Sequence, residues 1–144
     1  MTPVQLDSHV LLWALFEPHR LGKKTRLLLR NLDQGYVSRA SMLELTFKYG
    51  SGKLPHAPEQ VAEGILLTGA TVLEITDRHL QTYASINLPH KDPFDRLLLA
   101  QAVCEGLTLV TADANLLACS YPTLDARLYN SLTFLTAVRN VRMF

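Results

Sequence analysis

Short apolar runs, rich in β-branched residues, alternate along this chain with longer amphipathic ones. Residues 4–7 read as a strand, and Ser8 as the cap of a helix over 9–16 that stops before Pro18. A second helix is expected over 21–32, carrying Lys23, Lys24, Arg26 and Arg30, with Gly35 closing it. Tyr36 and Val37 make a minimal strand, and a third helix runs from Ser38 or Ser41 to Tyr49, ending at Gly50-Ser51-Gly52. Pro58 opens a fourth helix to about residue 68, with Gly69 as its stop. Residues 71–75 are strand-like and 77–86 helical. The clearest helix spans 93–105, is ended by Gly106, and is followed by a buried strand over 107–111 and a short helix over 113–118. In the tail, 124–129 reads as a last strand and 131–138 as a last helix.

Helices alternating with short apolar strands predict an α/β fold: a short central parallel sheet covered by helices on both faces (α/β/α). The whole chain, 1–144, is expected to form one domain. In such a sheet the ligand crevice lies beyond the carboxyl ends of the strands. Asp7 ends the first strand, and Asp113 follows the 107–111 strand by two residues. Glu44 and Asp95 are expected in the first turns of helices, near the positive ends of their dipoles. The four acids are thus expected to converge, with Asp92 as a fifth candidate.

Carboxylates gathered from distant segments repel one another. At 4 Å and an effective dielectric of 20, each pair costs about 4 kcal/mol. A divalent cation is the simplest thing that would hold them. Oxygen-only ligands select a hard ion, Mg²⁺ or Mn²⁺, and such a site suggests phosphodiester chemistry. Each acid also has a local explanation. Asp92 before Pro93 is better read as a helix cap than as a ligand. Glu44 could complete a capping box with Ser41 or pair with Lys48, and Asp113 could cap the helix after it. Asp95 heads an apolar stripe with Leu99 and Ala102. Asp7, with apolar neighbours along the chain, is the hardest to dismiss, because a lone buried carboxylate is costly.

Composition narrows the picture. The chain has 144 residues, 48% hydrophobic, and a formal net charge of +1, so no overall basic field attracts nucleic acid. RNA contacts would come from local positions: Arg39, Lys48, Lys91 and Arg96, although solvated surface is the default for each. His9 and His90 stand near acids as candidate bases. Trp13 and Phe16 read as packing residues. Cys104 and Cys119 form no disulfide framework, and Cys104 reads as a small core residue. No Gly-rich phosphate loop, zinc-type Cys/His spacing or distinct Ser/His/Asp triad appears. Met1 leads almost directly into a strand, and no apolar run is long enough for a membrane span, so a soluble cytoplasmic protein is expected.

The segments Leu6-Asp7-Ser8-His9-Val10-Leu11-Leu12-Trp13, Ser38-Arg39-Ala40-Ser41-Met42-Leu43-Glu44-Leu45, Gly52-Lys53-Leu54, His90-Lys91-Asp92-Pro93-Phe94-Asp95-Arg96 with the apolar helix after it, and Leu109-Val110-Thr111-Ala112-Asp113, in this order, resemble the PIN-domain family. Within it they resemble the VapC-type toxins of bacterial toxin–antitoxin pairs. The resemblance covers nearly the whole chain. It implies a small parallel sheet between helices and an endoribonuclease dependent on Mg²⁺ or Mn²⁺, the toxin of a type II toxin–antitoxin system. Asp7, Glu44, Asp95 and Asp113 fall on the family's acidic positions, Asp92 on the extra acid of the Asp-Pro-Phe-Asp subgroup, and Thr111 on a supporting hydroxyl. The implied partners are RNA, a cognate VapB-type antitoxin that covers the acids, and a second copy in a homodimer. The chain departs from the pattern at Asn115, where many relatives carry another acid, and in a longer 120–132 segment. Two rivals stand beside this reading: a catalytically weak RNA- or partner-binding PIN module, and a phospho-acceptor or phosphatase domain with Asp7 as nucleophile.

Overall fold

The computed structural model describes residues 3–30, 35–89 and 91–127. The expected helix over 131–138, the far end of the 124–129 strand, the end of the 21–32 helix and His90 lie outside the described residues. Five strands, β1 (Val4–Leu6), β2 (Gly35–Ser38), β3 (Thr71–Leu73), β4 (Thr108–Thr111) and β5 (Thr123–Asp125), form one sheet in the order β3-β2-β1-β4-β5. Every pairing is parallel. Around it lie α1 (Ser8–Phe16), α2 (Lys23–Leu29), α3 (Arg39–Gly50), α4 (Pro58–Thr68), α5 (Asp77–Tyr83), α6 (Pro93–Glu105) and the short α7 (Ala114–Leu117).

Strand alternation divides the core in two. Val4 and Leu6 on β1, Val37 on β2 and Val110 on β4 pack with Val10, Leu11, Val61 and Ile65 from α1 and α4. Leu109, one residue before Val110, points the other way, toward Leu98 and Leu99 on α6 and Ala40 on α3. Both faces of the sheet are therefore covered, which is why its strands read as continuous apolar runs. Gly64 lets α4 lie close to α1, since a Cβ there would come within 2.9 Å of Leu15 Cδ2. Gly106 ends α6 at φ 68°, a conformation that a side chain would strain.

Chain order reverses at β1. β2 and β3 extend the sheet on one side, while β4 and β5 extend it on the other. The carboxyl ends of β1 and β4 thus flank the switch point at which parallel sheets open a crevice.

Several expectations shift. Gly35 does not close a helix. It pairs with Val4 as the first residue of β2. Asp7 rather than Ser8 caps α1, and Ser8 is the first helical residue. Helix α3 starts at Arg39, with the Ser38 hydroxyl accepting from the Ala40 N–H. Glu44 is consequently a turn further into the helix than expected, and no Ser41–Glu44 capping box forms. Helix α5 stops at Tyr83, and Ile86 and Leu88 beyond it are buried in the second core outside any helix or strand. A 3-10 turn at Pro18–Arg20 was not anticipated.

Candidate active site

The site is built on the hand-over from β1 to α1. Asp7 follows the last residue of β1 and is the N-cap of α1, with Oδ1 accepting from the Val10 N–H at 2.8 Å. Its own backbone N–H donates to the Val110 carbonyl at 3.1 Å, which ties it to β4. The Thr111 hydroxyl donates a short hydrogen bond to Asp7 Oδ2. Thr111 Oγ1 in turn accepts from the Asp113 N–H at 3.1 Å. Asp7, Thr111 and Asp113 are thus linked across the switch point by residues 104 apart in sequence.

Glu44 reaches this corner from α3. Ser8 donates its hydroxyl to Glu44 Oε1 at 2.5 Å, and Lys48 Nζ lies 3.5 Å from Oε2. Ser8 therefore couples the helix that Asp7 caps to the helix that carries Glu44. Its signal in the sequence was ambiguous, because a serine after a strand end reads first as a cap.

Asp7 is only 5% exposed. Burial pushes its carboxyl above the ordinary value of 3.8. The Thr111 hydroxyl, the Val10 N–H and nearby His9 pull it back down, while the negative Glu44 pushes it further up. The net direction is upward, so the folded chain holds a carboxylate in surroundings that favour its neutral form.

Asp95 lies in the first turn of α6, half-buried. Asp92 is the N-cap of that helix and accepts from the Phe94 N–H at 2.9 Å and the Asp95 N–H at 3.2 Å. Asp113 caps α7, accepting from the Asn115 and Leu116 N–H groups. The exposed Asn115 contributes its main chain to that cap.

Among the basic candidates, Arg39 forks onto Glu74, with Nε at 3.1 and 3.2 Å from the two carboxylate oxygens. Arg96 is spent internally, donating to the Ile86 carbonyl at 2.5 Å and the Leu88 carbonyl at 3.1 Å, beside the Tyr83 ring. Lys48 pairs with Glu44, and Lys91 stands exposed.

No three of the four acids bring carboxylate oxygens within 4.8 Å of one another. Among the described residues, the group that does come that close is His79, Cys104 and Glu105. Its hydrogen bonding argues against a metal there. His79 Nδ1 accepts from the Thr76 N–H at 3.1 Å, so the ring proton sits on Nε2, which faces Glu105 Oε1 at 2.9 Å. A metal at Nε2 would require the other tautomer and would break the cap. Cys104, expected in the core, is half-buried beside this group.

The Asp7 corner suits a different ion. Its donors are all oxygens, the preference of Mg²⁺ and Mn²⁺. A cation would also relieve the desolvated Asp7 and its repulsion by Glu44. The donor set therefore fits a hard divalent ion.

A model of the PIN domain matches residues 4–119. Ribonuclease VapC22 of Mycobacterium tuberculosis (strain ATCC 25618 / H37Rv) is 30% identical over 131 residues, covering 85% of this chain and 95% of that protein. VapBC2 from Rickettsia felis, solved bound to a DNA fragment from its promoter, superposes with a TM-score of 0.61 at 18% identity, over 85% of this chain and 96% of that one. A toxin–antitoxin complex from Klebsiella pneumoniae gives a TM-score of 0.59 at 14% identity, over 87% and 99%. With its fold and the order of its acidic segments already in view, the chain belongs to the PIN-domain family.

Proposed function

We propose that this chain, with residues 1–144 acting as one PIN-like domain, is a metal-dependent endoribonuclease and the toxin of a type II toxin–antitoxin pair. The observation that carries the reading is Asp7. It is a buried carboxylate at the topological switch point, pushed above its ordinary pKa and linked to Thr111, with Glu44 close enough to disfavour its charge. Likeness to a ribonuclease over most of the chain supports the substrate class. Structural neighbours solved as toxin–antitoxin complexes support an antitoxin partner. We take the cytoplasm as the setting of that activity.

Asp7, Asp95 and Asp113 would hold the Mg²⁺ or Mn²⁺, with Glu44 assisting or helping to hold a second ion. Asp92 serves the helix start. Such an ion supplies an activated water at neutral pH and screens phosphate charge. The chain's own contribution is orientation. Thr111 fixes one oxygen of Asp7 and the Val10 N–H fixes the other. Ser8 and Lys48 hold the two oxygens of Glu44. Lys91, which stands exposed before α6, and Lys48, which lies beside Glu44, are the cations proposed to meet RNA phosphates, while Arg39 and Arg96 are engaged with Glu74 and the Ile86 and Leu88 carbonyls. A flexible loop or single strand suits the site better than a duplex, because unstacked RNA can enter a shallow crevice. A homodimer and a VapB-type antitoxin covering the acids complete the reading.

The test uses the purified chain with a mixed fluorogenic RNA library and whole cellular RNA, in Mg²⁺, Mn²⁺ or chelator, with Asp95→Asn as control. Metal-dependent cleavage that disappears in the control is expected. RNA binding without cleavage under any metal would replace the enzyme with a binding module.

A further inference from the structure

Phe47 is 59% exposed on α3, three residues beyond Glu44. Residues three apart on a helix share a face, about 5–6 Å between Cβ atoms. Its ring meets Phe94 edge-on, with centroids 6.2 Å apart and planes at 67°. Phe94 directly precedes Asp95 in the first turn of α6. One aromatic pair is therefore attached, from two helices, to two of the acids assigned to catalysis.

The surroundings say what this ring is suited to. Lys48 is its neighbour in sequence, and Lys91 stands exposed just before α6. Leu43, 45% exposed, adjoins the ring on α3. Beyond it the apolar surface is interrupted, because Thr46, Gly50 and Ser51 are all exposed. A stable protein partner typically covers about 800 Å² per side, far more than Phe47, Leu43 and the 44%-exposed Tyr49 of α3 offer. A single braced ring with cations nearby suits a planar base flanked by phosphates.

We propose that Phe47, braced by Phe94, is a stacking platform for one unpaired base of the RNA strand lying in the acid crevice. This rests on the ribonuclease reading. The strand would be gripped by one base face whatever its identity, with purines favoured for their larger area, and a base held in a duplex would not reach the ring.

The test measures binding of fluorescein-labelled ten-nucleotide A10 RNA and of the matching abasic ribose-phosphate strand. All proteins carry Asp95→Asn, so the strand survives. Phe47→Ala is expected to weaken A10 binding about tenfold or more and to leave abasic binding unchanged, while Phe47→Tyr keeps the affinity for A10. Equal losses on both strands, or none on either, overturn the platform. So does a Phe47→Ala protein that binds A10 normally but loses a second copy or an antitoxin, which would give the ring to a protein partner. Absence of A10 binding by the parent also overturns it. The separate cleavage assay then decides whether the ribonuclease reading falls as well.

Discussion

Two of the buried polar clusters among the described residues, around His79 and around Asp7, are finished differently. Around His79, each hydrogen-bonding atom has a partner of the right kind. His79 Nδ1 accepts from the Thr76 N–H and lies 3.4 Å from Gln101 Nε2. Gln101 Oε1 accepts from the Ser38 hydroxyl at 2.5 Å, and Ser38 Oγ accepts from the Ala40 N–H at 3.0 Å. Fixing one proton fixes all the others. At the Asp7 corner the hydrogen bonds are also made, yet a desolvated charge remains, with Glu44 adding repulsion. A fully satisfied buried seam holds elements together. A buried charge left electrostatically unrelieved marks the place where something else is meant to bind.

The widest separation between the two sites should come from Asp7→Asn. Asparagine also caps helices, so the fold persists while RNA cleavage drops to background. The same variant should be more stable at neutral pH. A carboxyl whose folded pKa is raised makes the native state bind more protons than the unfolded state, so stability falls as pH rises from about 3.8 through the raised value. Thermal melts across that window should show the decline in the parent and its absence in Asp7→Asn. A variant less stable than the parent at pH 7 would contradict the assignment of strain to this carboxylate.

Thr111→Val removes the hydroxyl that orients Asp7 and should lower activity roughly 10- to 100-fold, as loss of groups supporting metal ligands does. Asp7 should then titrate higher still, which carboxyl NMR would register. At the satisfied seam the effect should move to stability. Gln101→Leu leaves the Ser38 hydroxyl without its acceptor and should cost about 1–3 kcal/mol. Activity per folded molecule should change little, which denaturant titration paired with active-site counting can separate. Least of all, Asp92→Ala should cost about 1 kcal/mol as a lost cap. A far larger loss of activity than of stability there would make Asp92 a ligand as well.

The sequence carried much of this. The helix at Pro93–Glu105 was legible to the residue and that at Pro58–Thr68 nearly so, because Pro at the start and Gly past the end punctuate both. The parallel sheet followed from alternation of elements. Reversal of strand order at β1 did not, since strand neighbours are set by packing rather than by local pattern. Local signals also misplaced Gly35, whose strand pairing is a long-range contact, and put Glu44 in a first turn, because Ser38 and Ser41 are equally good caps on paper. Asp7 and Thr111 were each visible, but the contact between them spans nearly the whole domain. The part played by Ser8 in joining Glu44 to the Asp7 helix, and the commitment of Arg39 and Arg96 to protein partners, are tertiary facts without a local signature.

The most direct test of the contrast is the thermal shift produced by Mn²⁺ at neutral pH in the parent and in Asp7→Asn. Binding to the folded state alone raises stability by mass action. The parent should melt at a higher temperature with Mn²⁺ than with chelator, while Asp7→Asn, already relieved of the charge, should barely respond. Equal shifts in the two proteins, or none in the parent, would contradict the claim that Asp7 is buried to meet a cation.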